Sequence, residues 1–125
     1  MPEIDITVTF TIPEDRLEEV SYALERANPE TEEGALRTYS VLGPRAIELI
    51  KQTDEDGERP WVDEDLTVEE QLIPQEFWVE GRTATVQYMC GDEDTAAELS
   101  RFMKELYEAA GFEKVSVSAE SEWTG

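Results

Sequence analysis

A strict alternation of apolar and polar residues near the N-terminus is the feature that most constrains the fold. In the stretch "IDITVTFTI" the apolar residues are Ile4, Ile6, Val8, Phe10 and Ile12, and every residue between them is polar. Successive side chains of a β-strand point to opposite faces, so this pattern predicts a strand over residues 4–12 with one buried face. The rest of the chain must therefore supply an apolar layer that covers this face.

Further elements follow from local patterns. Residues 14–28 carry apolar side chains at helical spacing before Pro29, and residues 92–110 do so before Gly111, which predicts two helices. In the second helix, Thr95 and Glu98 have the spacing of a capping box. The stretch "EFWVEGRTATVQYMC" predicts a hairpin that turns at Gly81, and residues 113–123 alternate as a last strand.

Residues 30–75 form an insert between the first helix and the hairpin. Pro44 opens a predicted helix over residues 44–52, and Thr67 with Glu70 predicts a second capping box and one helical turn. Residues 34–42 are compatible with a helix or a short strand, and we favour the helix.

This order of elements predicts an α+β fold of one domain, residues 1–125. Without the insert it resembles the split βαβ sandwich of ferredoxin-like folds, with an antiparallel sheet and helices on one face. The insert, a helical and acidic-loop segment at residues 30–75, follows the first helix. The resemblance is to an architecture that hosts many unrelated functions, so the function has to be argued from other features.

Charge is the compositional outlier. The chain has 31 Asp and Glu against ten Lys and Arg, a formal net charge of −21. Such a field repels nucleic acid and anionic membranes and attracts basic partners, so we expect neither nucleic-acid nor membrane binding. We expect a cytoplasmic protein, because no basic region followed by a long apolar run opens the sequence and the single cysteine, Cys90, cannot form an intramolecular disulfide.

Catalytic and cofactor signals are missing from the sequence. The chain has no histidine, which excludes the usual Ser-His-Asp and Cys-His arrangements, and it has no glycine-rich phosphate loop. Cys90 lies in an alternating strand, where a small buried side chain is the simpler interpretation than a nucleophile. We therefore predict no enzyme activity and no cofactor.

Residues 52–63 partly match the spacing of a calcium-binding loop. With Gly57 at the sixth position of an EF-hand loop, Asp54 and Asp56 match the pattern, whereas Gln52 at the first position and Asp63 at the last depart from it. We therefore predict no metal site, and interpret the segment as an acidic loop.

Two tryptophans have two interpretations each. Trp61 lies within the acidic segment, either packed on the core or exposed as an anchor at a protein interface. Trp78 alternates with Phe77 and Val79, so it lies either on an exposed aromatic face of the sheet or beneath the insert. An RNA platform of this kind needs basic residues, and Arg82 is the only one in the hairpin, so we expect no RNA binding.

The composition resembles that of phage-encoded anti-restriction and anti-CRISPR proteins, which are small, acidic and without catalytic residues. The resemblance implies an inhibitor that imitates nucleic acid and occupies a basic groove of a nucleic-acid-binding protein. The predicted partner-binding residues are Asp54, Glu55, Asp56, Glu58, Trp61, Asp63, Glu64, Asp65, Glu69 and Glu70. A second candidate surface is the first helix and its exit, with Glu14, Asp15, Glu18, Glu19, Glu25, Glu30, Glu32 and Glu33.

The acidity of the chain is compatible with two further roles. One is a small regulatory or adaptor domain that binds a basic protein without competing with nucleic acid. Another is an ordinary domain adapted to high salt, whose charge serves no partner.

Overall fold

The computed structural model describes residues 3–121, which form a mixed α+β structure with a four-stranded antiparallel sheet and five α-helices. The strands are β1 (Ile4–Thr11), β2 (Glu76–Glu80), β3 (Thr83–Cys90) and β4 (Glu113–Ser121). The helices are α1 (Leu17–Glu25), α2 (Glu32–Tyr39), α3 (Pro44–Lys51), α4 (Val68–Gln71) and α5 (Glu93–Ala109). Short 3₁₀ turns span Glu14–Arg16 and Ser40–Leu42.

The sheet has the strand order β2-β3-β1-β4, and every neighbouring pair is antiparallel. The apolar side chains of β1 and alternate side chains of β3 face one side and are buried. Val20 and Leu24 of α1 and Leu99 and Met103 of α5 belong to the same apolar core. The side chains between the buried positions form the opposite face of the sheet, which is open to solvent.

The alternation at residues 4–12 and the hairpin turn at Gly81 are confirmed. Gly81 has φ +63°, a backbone conformation that glycine adopts without strain. The last predicted strand is confirmed up to Ser121, and its predicted end at residues 122 and 123 lies outside the described residues.

Residues 34–42 are helical, which resolves the alternative left open by the sequence. Thr31 caps α2 by accepting a hydrogen bond from the Gly34 amide, and Gly43, at φ +101°, follows the 3₁₀ turn that extends the helix. The insert is part of the core, since Tyr39, Leu42 and Ile50 are buried within the same cluster as the sheet.

The predicted capping box of the long helix is wrong. The helix begins at Glu93, within the predicted range, but its N-cap is Asp92, whose carboxylate accepts hydrogen bonds from the amide and the hydroxyl of Thr95. Asp, like Thr, is a favoured N-cap residue, and the aspartate three positions earlier takes this role. Thr95 is thus inside the first turn of α5.

Candidate functional site

The acidic loop, residues 53–70, begins with a tight turn that its own backbone closes. The Asp54 amide donates to the Glu58 carbonyl at 2.8 Å, and the Asp54 carboxylate accepts from the amides of Asp56 and Glu58, each at 2.9 Å. Gly57 adopts φ +76° within this turn. The turn holds Asp54 in place while Glu55, Asp56 and Glu58 remain exposed.

Arg59 ties the loop to two helices. Its Nε donates to the Ile50 carbonyl of α3 at 2.7 Å, and its Nη2 forms an ion pair with Glu32 of α2 at the same distance. The Arg59 side chain is only 15% exposed. The Arg59 charge therefore helps to attach the loop, and it contributes little positive charge to the protein surface.

Trp61 packs on the core. Its ring is stacked on Phe102 of α5, with centroids 3.8 Å apart and planes 5° from parallel, and the residue is 4% exposed. The interpretation of Trp61 as a ring folded onto the core is thus the correct one. The exposed-anchor alternative fails because burying a large aromatic surface here stabilises the fold.

Asp63 links the loop to the end of β3. It is 6% exposed, and its carboxylate accepts from the Gly91 amide at 2.8 Å and from the Asp65 amide at 3.0 Å. Its own amide donates to Gln71 Oε1 at 2.9 Å, and Gln71 Nε2 donates to the Met89 carbonyl. Buried carboxylates need such partners, so Asp63 is a structural residue of the loop.

The predicted capping box of α4 is confirmed. The Thr67 hydroxyl accepts from the Glu70 amide, and the Glu70 carboxylate accepts from the Thr67 amide at 2.9 Å. The loop therefore ends in a defined turn of helix, as it begins in a defined turn of backbone.

The structure divides the ten predicted partner-binding residues into two groups. Trp61 and Asp63 lie inside and hold the loop. The others present carboxylates at the surface, with Glu69 half-buried and the rest exposed: Asp54, Glu55, Asp56, Glu58, Glu64, Asp65 and Glu70. Their role in binding a partner remains a prediction.

A cleft of about 280 Å³ lies between the acidic loop and α5. Leu49, Trp61 and Phe102 provide apolar lining, and its polar lining includes Asp54, Arg101, Glu98 and Glu105. Glu98 and Glu105 were not among the predicted site residues. Their spacing of seven places them on one face of α5, but only the packing of Trp61 on Phe102 brings that face beside the loop.

Most cations of the protein are already engaged. Arg16 donates to the carbonyls of Ala110 and Val41 at 2.6 and 2.8 Å and lies 5.1 Å from the centre of the Phe112 ring. Four more arginines form ion pairs of 3.0–3.7 Å with neighbouring glutamates: Arg26, Arg37, Arg45 and Arg101. With Arg59, six of the ten Lys and Arg are occupied, and the net surface field is strongly negative.

Among residues 3–121, no three Asp, Glu, His or Cys side chains are grouped closely enough to hold a metal ion. Asp54 and Asp63, which lie at positions of the EF-hand-like spacing, have different partners. The Asp54 carboxylate accepts hydrogen bonds from backbone amides of its own turn, whereas the Asp63 carboxylate accepts one from the Gly91 amide. Cys90 is buried as expected, and burial raises the pKa of its thiol, which lowers its reactivity.

None of the helices in residues 3–121 has the length and apolar character needed to cross a membrane. Comparisons with protein-family models, curated proteins and solved structures gave no match. Fold and site together define a class: a small α+β protein with an exposed acidic loop that buried contacts attach to its helices and sheet.

Proposed function

We propose that the protein is a binding protein without catalytic activity, an inhibitor that occupies the basic groove of a nucleic-acid-binding protein. One observation carries the proposal: the acidic loop is attached to the body through Arg59, Trp61 and Asp63, while its other carboxylates remain in solvent. A disordered acidic tail would have no need of such attachments.

Attachment matters because ordering a loop on binding costs free energy. Each immobilised side chain costs about 0.5–1.5 kcal/mol, and a segment held in its bound conformation avoids part of this cost. Duplex DNA is itself a stiff array of negative charges, so a preorganised acidic loop is suited to imitate it. The net field also steers a basic partner toward the loop, which accelerates association at low salt.

The proposal extends to fold and location. A ferredoxin-like arrangement is supported in part by the strand order, because β3 lies between β1 and β2, and β1 lies between β3 and β4. It departs from the simple pattern in having four helices between β1 and β2. We further propose a cytoplasmic location, where the free thiol of Cys90 stays reduced.

The test is affinity capture from lysate at low salt, with duplex DNA as a competitor. The loop variant carries Glu55→Gln, Asp56→Asn, Glu58→Gln and Glu64→Gln. A matched variant removes the same number of charges from the first helix and its approach, with Glu14→Gln, Asp15→Asn, Glu18→Gln and Glu19→Gln. All eight side chains are exposed, so both variants should keep the fold.

We expect the chain to retain a nucleic-acid-binding protein that DNA displaces and that the loop variant no longer retains. Equal loss with both variants would mean that net charge alone is recognised, and loss only with the matched variant would move the interface to the α1 surface. A basic partner that DNA does not displace would favour the adaptor. Retention of nothing would favour adaptation to salt as the origin of the acidity.

A further inference from the structure

The open face of the sheet forms a regular grid of side chains, defined by the strand pairing. Its rows run across β2, β3, β1 and β4, and one row contains Trp78, Thr85, Thr9 and Ser116. Adjacent rows contain Glu76, Gln87, Thr7 and Ser118 on one side and Glu80, Thr83, Thr11 and Glu113 on the other. Met89, Asp5 and Glu120 complete the face.

Every charged position in this grid is acidic: Asp5, Glu76, Glu80, Glu113 and Glu120. Asp5 lies directly opposite Glu120 in the pairing of β1 with β4. Like charges in such cross-strand pairs destabilise a sheet. The nearest cations lie at the opposite end of the face from this pair: Arg82 lines a pocket with Thr11 and Glu113, and Lys114 lies in the bulge of β4. A cation supplied by a partner would relieve this repulsion.

Trp78 is the one large apolar side chain that the grid exposes, at 42%. Glu76 and Glu80 lie two residues to either side on the same strand and face, about 6.6 Å away along the strand. Hydroxyl-bearing side chains continue from Trp78 across the sheet through Thr85 and Thr9. An aromatic ring between two carboxylates suits an arginine, whose guanidinium stacks on the ring and pairs with carboxylates.

We propose that the open face is a second interaction surface, which binds a basic protein segment with an arginine on Trp78 between Glu76 and Glu80. A second copy of this chain does not fit, because two such faces would oppose carboxylates to carboxylates. Nucleic acid is repelled for the same reason. The surface is separate from the acidic loop, which packs on α5 through Trp61 on the other side of the sheet.

Nuclear magnetic resonance of the full chain tests the proposal, with a short peptide of alternating arginine and glycine as the probe. At low ionic strength we expect the largest shifts at the Trp78 indole and in the backbone of β2 and β3. The Trp78→Thr variant keeps a strand-forming residue and should bind the peptide at least about threefold more weakly, the loss of a cation–π contact of roughly 0.7 kcal/mol or more.

Two controls distinguish binding at the open face from nonspecific attraction of the peptide to the negative charge of the protein. Among residues 3–121, Tyr22 of α1 is the other large exposed aromatic, and Tyr22→Thr should leave binding unchanged. The pair Glu76→Gln and Glu80→Gln should weaken binding more than Glu14→Gln with Glu18→Gln, which removes the same charge elsewhere. Shifts confined to residues 54–65, unchanged binding by Trp78→Thr, or no binding at all would overturn the proposal. The first of these outcomes would leave the proposed role of the acidic loop intact.

Discussion

At the scale of single residues, three buried tyrosine hydroxyls form a chain with a defined direction. Tyr39 donates to the Leu72 carbonyl at 2.8 Å, and because a hydroxyl has one proton, Tyr39 must accept from Tyr88 at 2.6 Å. Because the Tyr88 proton is in the bond to Tyr39, Tyr88 must in turn accept from Tyr107, at 2.7 Å. This series of hydrogen bonds joins the insert, β3 and α5 inside the core. The direction of each bond is set by the bond before it.

This direction predicts unequal effects of removing single hydroxyl groups. Tyr39→Phe leaves the Leu72 carbonyl without this donor and the Tyr88 proton without its acceptor, so it should cost about 1–3 kcal/mol of unfolding free energy. Tyr107→Phe removes only a donor at the end of the chain and should cost less than about 1.5 kcal/mol. Urea unfolding of both variants measures the difference, and equal costs would contradict the direction.

The same tyrosines predict a loss of stability in alkali. Burial raises the pKa of Tyr39, Tyr88 and Tyr107 above the usual value. Stability is complete below a pH of about 10, where the unfolded chain also keeps these protons, and falls as the pH rises because only the unfolded chain then releases them. Each proton contributes a slope of about 1.4 kcal/mol per pH unit.

Urea unfolding at a series of alkaline pH values checks this expectation. Tyr107→Phe removes one of the three groups, so the slope of unfolding free energy against pH should be smaller by the contribution of one proton. Tyr22→Phe, which alters an exposed ring, should leave the slope unchanged. A slope that is insensitive to Tyr107→Phe would show that other groups govern the alkaline transition.

At the scale of elements, the acidic loop depends on a few inward contacts. The Asp63 carboxylate accepts two backbone amides, those of Gly91 and Asp65, and its own amide is held by Gln71. The bond to Gly91 joins the loop to the segment that follows β3, and the other two hold Asp63 to Asp65 and to α4. Loosening them should free the loop without touching the exposed carboxylates that the proposed function uses.

Asp63→Ala should therefore destabilise the protein by about 1–3 kcal/mol, because it leaves two amides without their acceptor. Asp65→Ala removes the same charge from an exposed position and is the matched control. Thermal and urea unfolding provide the comparison, and limited proteolysis should cleave the Asp63→Ala loop faster. If both variants lost the same stability, charge and not the buried bonds would account for the effect.

At the scale of the whole molecule, the net charge of −21 acts on every part of the surface. Exposed ion pairs offset little of it, since such pairs contribute about 0–1 kcal/mol each. The native state concentrates this charge more than the unfolded chain does, so self-repulsion opposes folding.

Salt should therefore stabilise the protein. The Debye length falls from about 30 Å at 0.01 M to about 3 Å at 1 M ionic strength, which screens repulsion between carboxylates. The urea midpoint should rise over this range, and urea is the suitable denaturant because it adds no ions. The fourfold loop variant should show a smaller rise than the unmodified chain. A midpoint independent of salt would contradict the expectation.

Most helices and strands could be predicted from the sequence, because their signals are local. The alternation of β1, the Thr67–Glu70 capping box and the glycine turn of the hairpin each depend on residues a few positions apart. Prediction failed at the start of α5, where Asp92 and Thr95 are both suitable caps and the local pattern does not rank them. The candidate site was predicted as a set of charges, without knowledge of which members point inward.

The sequence by itself determined the net charge, the alternating strands, the helical insert and the absence of histidine chemistry. Tertiary structure alone decided that Trp61 stacks on Phe102, that Asp63 binds the Gly91 amide, and that Arg59 reaches Glu32. Local patterns arise from hydrogen bonds and side-chain spacing within a few residues, whereas these contacts join residues some 27–41 positions apart. Their geometry exists only once the sheet and helices have packed, and that packing is what turns an acidic segment into a fixed surface.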